Sequence, residues 1–278
     1  MVATDTPIAV LGIDAAWTSH KPSGVSLWLR NQCRWQCVRV SSSYAEFCGN
    51  NAEPGCHLAN VPEILSTCKS LIGNVQIAVV GVDMPIGKEP IAGRRAADNE
   101  VSRRFSNQHC ATHSPSTDRP GKVGVLLSTE FLKAGFEPVF EVNANAPVLI
   151  EVYPHVSLLA IARYGSTGGH PYDKNMRLPY KASKTTTYWK NIRSATERKR
   201  RLIQVWRDIL GRLEHFADLS VFRLPDDLEN RSFEALKPYE DQIDALVCAW
   251  TAAQYLEGSL APLGNQISAI WVPRELIK

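Results

Sequence analysis

Long hydrophobic runs are missing from this sequence. The longest apolar stretches of the 278-residue chain, IAVLGI and QIAVVGV, are far shorter than the roughly 20 residues that a membrane-spanning helix needs. The start of the chain has neither the basic segment nor the apolar segment of a secretory signal peptide. The seven cysteines are an odd number without paired spacing, so we expect free thiols. These absences favour a cytoplasmic protein without a membrane partner.

Several sequence motifs of common active sites are also absent. The chain has no G-x-S-x-G nucleophile turn, no phosphate-binding P-loop and no glycine fingerprint for a dinucleotide. The cysteine and histidine pairs in residues 33–37 and 109–113 lack the spacing of a zinc site. The net charge of +3 does not by itself indicate a nucleic-acid partner. The apolar content of 44% is sufficient for a full core, so we expect a folded enzyme-sized domain.

Three short apolar segments have the composition of buried β-strands. Each carries an acid at or near its carboxyl end: Asp14 in residues 8–14, Asp83 in 76–83 and Glu151 in 147–153. Nearly continuous apolar runs are typical of parallel strands that are covered on both faces. The carboxyl ends of adjacent parallel strands meet at one edge of the sheet, where α/β proteins bind ligands. The three carboxylates are therefore expected to converge, although each acid alone could equally cap a helix or face water.

Two further acids open the apolar segment DQIDALVCAWTAAQYL. Three helical residues turn through about 300°, so Asp241 and Asp244 share one face of the predicted helix. Asp241 stands early in this segment, where the helix dipole also favours an acid. Asp244 stands among apolar residues, and Lys237 is almost two turns upstream of it. Burying an unpaired carboxylate is costly, so we expect its partner to be an arginine, a backbone amide or a metal ion from elsewhere.

Clustered carboxylates favour a divalent cation. Neighbouring carboxylates raise one another's pKa, and a hard cation relieves the repulsion. Oxygen ligands are those preferred by Mg²⁺ and Mn²⁺. Two such ions can activate a water and stabilise the leaving oxygen in phosphodiester hydrolysis. The acids therefore predict a Mg²⁺ or Mn²⁺ site at the sheet edge.

The order of several motifs resembles that of the DUF429 family, described as predicted nucleases with an RNase H-like fold. The motifs are LGIDAAW with PSGVSLW, GVDMPIG, GRRAAD, IEVYPHVS and DQIDALVCAWTA, spread over nearly the whole chain. The last is also similar to the acidic C-terminal helix of RuvC-type resolvases. The resemblance implies one α/β domain over residues 1–278, with a mixed five-stranded sheet of three antiparallel strands followed by parallel ones. Helices would flank this sheet, and insertions would lie at about 84–146 and 165–237.

The resemblance also implies a function and a set of site residues. It indicates a metal-dependent nuclease that hydrolyses phosphodiester bonds of DNA or RNA. The metal ligands carried over to this sequence are Asp14, Asp83, Asp241 and Asp244. Glu151, which lies in the EVYP motif of the family, would be a further ligand or a base.

Basic and aromatic residues near these acids are candidates for binding substrate. Arg94 and Arg95 follow the second acid and could hold a phosphate, or they could belong to a solvated helix face. Lys181 could reach the scissile phosphate or a substrate carboxylate. Four aromatic residues interleaved with basic ones could stack bases or anchor a long loop: Tyr172, Tyr180, Tyr188 and Trp189.

Two other classes of function stay open on the sequence alone. The first is an ATP-dependent phosphotransferase or ATPase, because actin and sugar kinases share the implied core. Those proteins follow the first acid with a glycine-rich hairpin, whereas Ala15, Ala16, Trp17 and Thr18 follow Asp14 here. The second is a non-catalytic module that binds nucleic acid or another partner, with its acids paired to arginines. The complete set of acids favours the nuclease.

Overall fold

The computed structural model describes residues 6–32, 34–50, 57–87, 89–142, 147–163 and 177–277. The strands are β1 (Ile8–Asp14), β2 (Gly24–Asn31), β3 (Arg34–Ser41), β4 (Gln76–Val82), β5 (Glu137–Pro138), β6 (Val148–Val152), β7 (Ala217–Asp218), β8 (Leu260–Asn265) and β9 (Ser268–Pro273). The helices are α1 (Tyr44–Cys48), α2 (Val61–Ile72), α3 (Ala96–Phe105), α4 (Lys122–Lys133), α5 (Pro154–Ile161), α6 (Thr185–Tyr188), α7 (Ala195–Glu214) and α8 (Phe233–Leu256). Short 3₁₀ turns lie at Ser106–Gln108, Ala182–Lys184, Leu228–Asn230 and Arg274–Leu276.

All of these strands belong to one mixed sheet. Its order is β7-β3-β2-β1-β4-β6-β9-β8, and β5 pairs with β6 beside this path. Strands β1, β2 and β3 are antiparallel, whereas β4 and β6 continue the sheet parallel to β1. The predicted arrangement of three antiparallel strands followed by parallel strands is therefore confirmed. The sheet is larger than the five predicted strands, because β5, β7, β8 and β9 extend it.

Helices cover both faces of the sheet, as the buried strands require. Val10 of β1 belongs to a core shared with α5, α7 and α8. Its neighbours Ala9 and Leu11 point to the opposite core, which α1, α2 and α4 complete. The segments that we predicted as insertions contribute to both cores, through Phe131 of α4 and Trp206 of α7. Because side chains alternate across a strand, this two-sided burial explains why β1 is apolar throughout.

Helix α8 begins well before the acidic segment. Ser232 is its N-cap, and the hydroxyl of Ser232 accepts a hydrogen bond from the backbone N–H of Ala235 (3.2 Å). Asp241 therefore lies in the third turn of α8, and our interpretation of it as an early acid favoured by the helix dipole is wrong. Among the described helices, α8 included, none combines the length and apolar character needed to span a membrane.

Helix α8 lies directly against the backbone of the sheet. A Cβ atom on Gly12 would be 2.2 Å from the backbone nitrogen of Ala249, and one on Gly24 would be 2.2 Å from the carbonyl oxygen of Asp241. Only glycine leaves room for this approach. Gly24 is also the partner of Asp14 in the β1–β2 pair. The contact therefore sets the acidic turn of α8 beside the carboxyl end of β1.

Candidate active site

The first two predicted acids stand side by side at the carboxyl edge of the sheet. Asp14 is the last residue of β1, and Asp83 directly follows β4, its parallel neighbour. The backbone N–H of Asp83 donates a 2.9 Å hydrogen bond to the carbonyl of Ile13, which fixes the two strand ends together. Both carboxylates are half-buried. The sheet thus brings these acids into the arrangement that parallel pairing predicts.

Helix α8 adds the other two predicted acids, both of them buried, to this group. Asp241 is 3% exposed and Asp244 is fully buried. The Oδ1 atom of Asp244 is buried and has no hydrogen-bond partner among the described residues. Loss of water, followed by repulsion from Asp244 and Asp241, raises the pKa of Asp14 well above its ordinary value. The four predicted metal ligands therefore act on one another electrostatically.

The carboxyls of this group are difficult to ionise together. Loss of water and repulsion from Asp244 raise the pKa of Asp83 to about 8. Loss of water also raises the pKa of Asp241 to about 6, although the ammonium of Lys237 opposes the shift. A neutral solution without a divalent cation therefore leaves part of this cluster protonated.

Two lysines compensate part of the negative charge of these acids. The Nζ atom of Lys181 is 2.5 Å from Oδ2 of Asp244 and 3.5 Å from Oε1 of Glu240. The Nζ atom of Lys237 is 3.0 Å from the same Oε1 of Glu240 and also contacts the carboxylate of Asp241. Burial would lower the pKa of Lys181, but Asp244 and the other anionic groups outweigh it and raise this pKa well above its ordinary value. Asp244 thus has a partner from elsewhere in the chain, as expected, but this partner is a lysine and not the arginine, backbone amide or metal ion that we predicted.

Glu240 is a site residue that the sequence reasoning missed. Its Oε2 atom accepts a 2.6 Å hydrogen bond from the backbone N–H of Ala182, which ties that loop to α8. Burial opposes ionisation of Glu240, but Lys181 and Lys237 outweigh it and lower the pKa below the ordinary value. The spacing could have indicated this role, because residues 240 and 244 are four apart on one helix face.

The third strand acid, Glu151, is paired inside the protein. Arg95 donates two hydrogen bonds to it, at 2.5 Å to Oε1 and 2.6 Å to Oε2. The backbone N–H of Ile86 donates a third, at 3.1 Å. Arg95 also binds Asp98 through contacts of 2.9 and 3.0 Å. Burial raises the pKa of Glu151 even though the guanidinium opposes the shift. The geometry favours a structural pair, and the predicted roles of Glu151 in catalysis and of Arg95 in phosphate binding stay predictions.

Arg94 is also occupied by internal contacts. Its guanidinium donates to Asn99 (2.7 Å), Ser102 (2.7 Å) and Ser114 (3.0 Å). It donates a further bond to the backbone carbonyl of Asp98 (2.9 Å). These contacts fasten the loop after α3 to the start of that helix. They give Arg94 a structural purpose apart from the substrate binding that we predicted.

Comparison with known proteins identifies the family. The sequence profile described as "Protein of unknown function (DUF429)" matches residues 12–124 and 130–267. The chain belongs to the DUF429 family. All five predicted acids lie within the matched residues. No curated protein and no solved structure matches the chain. Membership of DUF429 assigns no activity, so the chemistry of this chain is argued from its site.

Three of the predicted aromatic residues of this DUF429 protein, Tyr180, Tyr188 and Trp189, make contacts within the protein. Tyr180 is fully buried and lies under the ammonium of Lys181, with Nζ 4.8 Å from the ring centre. Its ring also meets the edge of His155 at 5.7 Å. Tyr188 and Trp189 contact each other, and Trp189 packs against the core. Tyr180 is therefore out of reach of a base, and Tyr172 lies outside the described residues.

A cavity of about 350 Å³ opens beside the acids. Its lining combines groups of three kinds, namely acids, cations and aromatic rings, represented by Asp83, Lys184 and Trp17. Trp17 was not predicted as a site residue, although its position three residues after Asp14 places it next to the strand end. A larger cavity of about 720 Å³ lies near Ile91 and Ile267, and none of the four predicted metal ligands lines it.

The residues of this DUF429 site fit a hard cation by their chemistry. Among the described residues, no three or more histidine, cysteine, aspartate or glutamate side chains are arranged so as to hold a metal ion. Lys181 and Lys237 are paired with the acids instead. The donors are nevertheless all oxygens, and the buried Oδ1 of Asp244 lacks a partner in the described structure. A metal would therefore require Lys181 to leave Asp244.

Proposed function

We propose that this protein is a divalent-metal-dependent nuclease that hydrolyses phosphodiester bonds of nucleic acid. The observation that carries the proposal is the fully buried carboxylate of Asp244, whose Oδ1 atom has no partner among the described residues. It stands within a group of acids that raise one another's pKa at the carboxyl edge of the sheet. A multivalent cation would compensate the negative charge of several of these carboxylates at once, whereas a proton or a lysine compensates one charge.

Four carboxylates would hold the metal in this proposal: those of Asp14, Asp83, Asp241 and Asp244. Mg²⁺ and Mn²⁺ match this oxygen-only set. When bound, the ion would polarise the phosphodiester and lower the pKa of an attacking water. Lys181 would have to leave Asp244 in that state, and its ammonium could then pair with a phosphate oxygen. In this proposal Lys181 pairs with Asp244 in the metal-free protein and with the substrate in the metal-bound protein.

Glu151 and Arg95 act as positioning residues in this proposal. Glu151 accepts the N–H of Ile86, three residues after Asp83, and Arg95 joins that carboxylate to α3. The bonds hold the segment after β4 against β6, so they keep Asp83 facing the other acids. Cations in the lining of the cavity support a polyanionic partner.

The cysteines that the structure describes are free, which supports our proposal of a cytoplasmic location: Cys37, Cys48, Cys68, Cys110 and Cys248.

The test is cleavage of labelled DNA and RNA substrates in Mg²⁺, Mn²⁺ or EDTA. Asp14→Asn and Asp244→Asn remove a ligand charge at nearly constant volume, and Asp226→Asn alters an exposed acid away from the site as a matched control. We expect metal-dependent cutting by the wild type and the control, with loss in both site variants. Absence of cutting by all preparations would reject the nuclease. A thermal shift with Mg-ATP would then favour phosphotransfer, and nucleic-acid binding without cutting would favour a non-catalytic module.

A further inference from the structure

The cavity beside the acids has an aromatic wall that the metal chemistry does not require. Trp17 is half-buried and lines the cavity together with His113 and Arg119. The edge of one ring meets the face of the other between Trp17 and His113, with centroids 6.4 Å apart at 77°. The guanidinium carbon of Arg119 is 5.9 Å from the Trp17 ring centre. An indole flanked by an imidazole and a guanidinium is a suitable surface for stacking a planar ring.

Arg119 is available to a ligand. It is exposed, and its guanidinium lies over the ring of Trp17. It forms no ion pair with an acid within the described part of the chain. Arg94 and Arg95 differ from it, because their donors are bound to internal acceptors. A free guanidinium beside an aromatic face can cover a stacked base or bind a phosphate.

Lys184 marks a place for an anion in the same cavity. It lines the same cavity and forms no ion pair with a described acid. Burial, followed by repulsion from Arg177 and Lys181, lowers the pKa of Lys184. A phosphate would relieve this repulsion. The cavity thus places an aromatic surface and a cation in need of an anion around the predicted metal ligand Asp83.

The size of the cavity limits what can enter. Its volume of about 350 Å³ is at the lower end of the roughly 300–1,000 Å³ of small-molecule pockets. A duplex presents its backbone and groove edges, while its bases stay stacked inside. A base can therefore lie on Trp17 only when it is unpaired.

We propose that this cavity binds one unpaired nucleotide of the substrate, with the base stacked on Trp17 beside Arg119 and a neighbouring phosphate held by Lys184. The inference rests on the proposed nuclease function and names its substrate class, which is single-stranded nucleic acid. The acids would then meet a backbone bond of the same strand. A paired duplex would have to open before it could reach them.

The experiment measures binding without chemistry, by fluorescence anisotropy in EDTA at fixed salt concentration. Labelled short single strands of DNA and RNA are compared with a duplex of the same sequence. We expect the single strands to bind at least about 10-fold more tightly than the duplex, and Trp17→Ala to weaken them about 5-fold or more. Trp17→Phe keeps an aromatic face and should stay within about 3-fold of the wild type.

Two further variants locate the effect. Arg119→Ala should weaken single-strand binding, whereas Arg103→Ala, an exposed arginine paired with Glu100 on α3, should leave it unchanged. Thermal melting of each variant establishes that its fold is intact. A free mononucleotide is added as competitor, and the inference requires it to compete far more weakly than the strand.

Specific results would overturn the inference. Equal affinity for duplex and single strand would do so, as would single-strand binding that Trp17→Ala leaves unchanged, or a mononucleotide that binds as tightly as the strand. Failure of the nuclease proposal is distinguishable, because it would give Trp17-dependent binding in EDTA with no cleavage in metal. Metal-dependent cleavage of duplexes with no effect of Trp17→Ala would instead retain the nuclease and reject the unpaired-nucleotide site.

Discussion

The ammonium of Lys181 lies 2.5 Å from Oδ2 of Asp244, a carboxylate without exposed surface. The two residues are 63 positions apart in the sequence. Lys181 precedes the 3₁₀ turn Ala182–Lys184, and Asp244 lies near the middle of α8. The lysine thus provides the positive charge that a metal would otherwise provide to the same carboxylate. Lysine and metal are therefore expected to compete for this group.

Substituting Lys181 with methionine should destabilise the metal-free protein. The variant leaves the buried Asp244 without its cation, at a cost of about 3–5 kcal/mol in the free energy of unfolding. Mg²⁺ should stabilise Lys181→Met more than it stabilises the wild type, because the competing ammonium is gone. Urea denaturation in EDTA and in Mg²⁺ measures both effects.

A matched lysine provides the control for this substitution. Lys133 pairs with Glu130 on the exposed surface of α4, so Lys133→Met should change stability by no more than about 1 kcal/mol and should not alter the response to Mg²⁺. The same response to Mg²⁺ in Lys181→Met and wild type would contradict the competition.

Substituting Gly12 with alanine should separate α8 from the sheet. The added Cβ would lie 2.2 Å from the backbone nitrogen of Ala249, and backbone atoms cannot rotate away as a side chain can. We expect a loss of about 3 kcal/mol or more in the free energy of unfolding. Gly211→Ala in α7 is the control, because no atom lies within 4 Å of its added Cβ apart from its chain neighbours and the nearby backbone of its own helix. Helix propensity should make Gly211→Ala more stable than the wild type by about 0.5–1 kcal/mol. Similar denaturation midpoints for Gly12→Ala and Gly211→Ala would refute the close contact between Gly12 and α8.

The stability of the metal-free protein should depend on pH through Asp83. The pKa of its carboxyl is about 8 in the folded state and near 4 when unfolded, so the folded state retains a proton that the unfolded state releases. The contribution of Asp83 to stability is therefore present below pH 4 and lost as pH rises to about 8. Asp83→Asn removes the titration, so the stability of the wild type relative to this variant should fall across the range. Urea titrations in EDTA at several pH values measure the free energy of unfolding of both proteins. Parallel pH dependences for wild type and Asp83→Asn would show that the pKa of Asp83 is not shifted by folding.

Substituting Arg95 with methionine should expose the cost of an unpaired internal acid. Glu151 would keep only the bond from Ile86, so we expect a loss of about 3–5 kcal/mol. Arg95→Lys should recover little of it, because an ammonium cannot reproduce the two parallel bonds. Adding Glu151→Gln to Arg95→Met should recover part of the stability by removing the orphaned charge. A double variant as unstable as the single one would indicate that packing, and not charge, dominates.

The strand acids could be predicted because their signal is local. Asp14 and Asp83 each end a β-branched apolar run, and parallel pairing then brings them together without further information. The start of α8 was harder to predict, because Pro238 stands inside the helix, where proline removes a backbone donor. Asp241 therefore resembled the first turn of a helix, although the N-cap of α8 is Ser232.

Two of the counter-ions, Lys181 and Arg95, could not be predicted from local patterns, whereas Lys237 pairs with Asp241 four residues along α8. The Lys181–Asp244 pair depends on a loop that returns to α8 from a distant part of the chain, and no periodicity records such a return. The pairing of Arg95 with Glu151 is of the same kind, because these residues are 56 positions apart in the sequence. The predicted acids of this site were thus visible in the sequence, whereas Glu240 was missed and the distant partners Lys181 and Arg95 required the tertiary structure.

The backbone contact between α8 and the sheet has a consequence for recognising relatives. A chain that exchanged Asp14 or Asp244 for a neutral residue would lose a ligand of the proposed metal site, but its helix could still pack against the strands. A chain with any side chain at Gly12 or Gly24 would lose the close packing of α8 against the sheet. Steric fit is therefore a stricter criterion than charge in this architecture. Relatives that have lost the carboxylates should therefore still be recognisable by this pair of glycines.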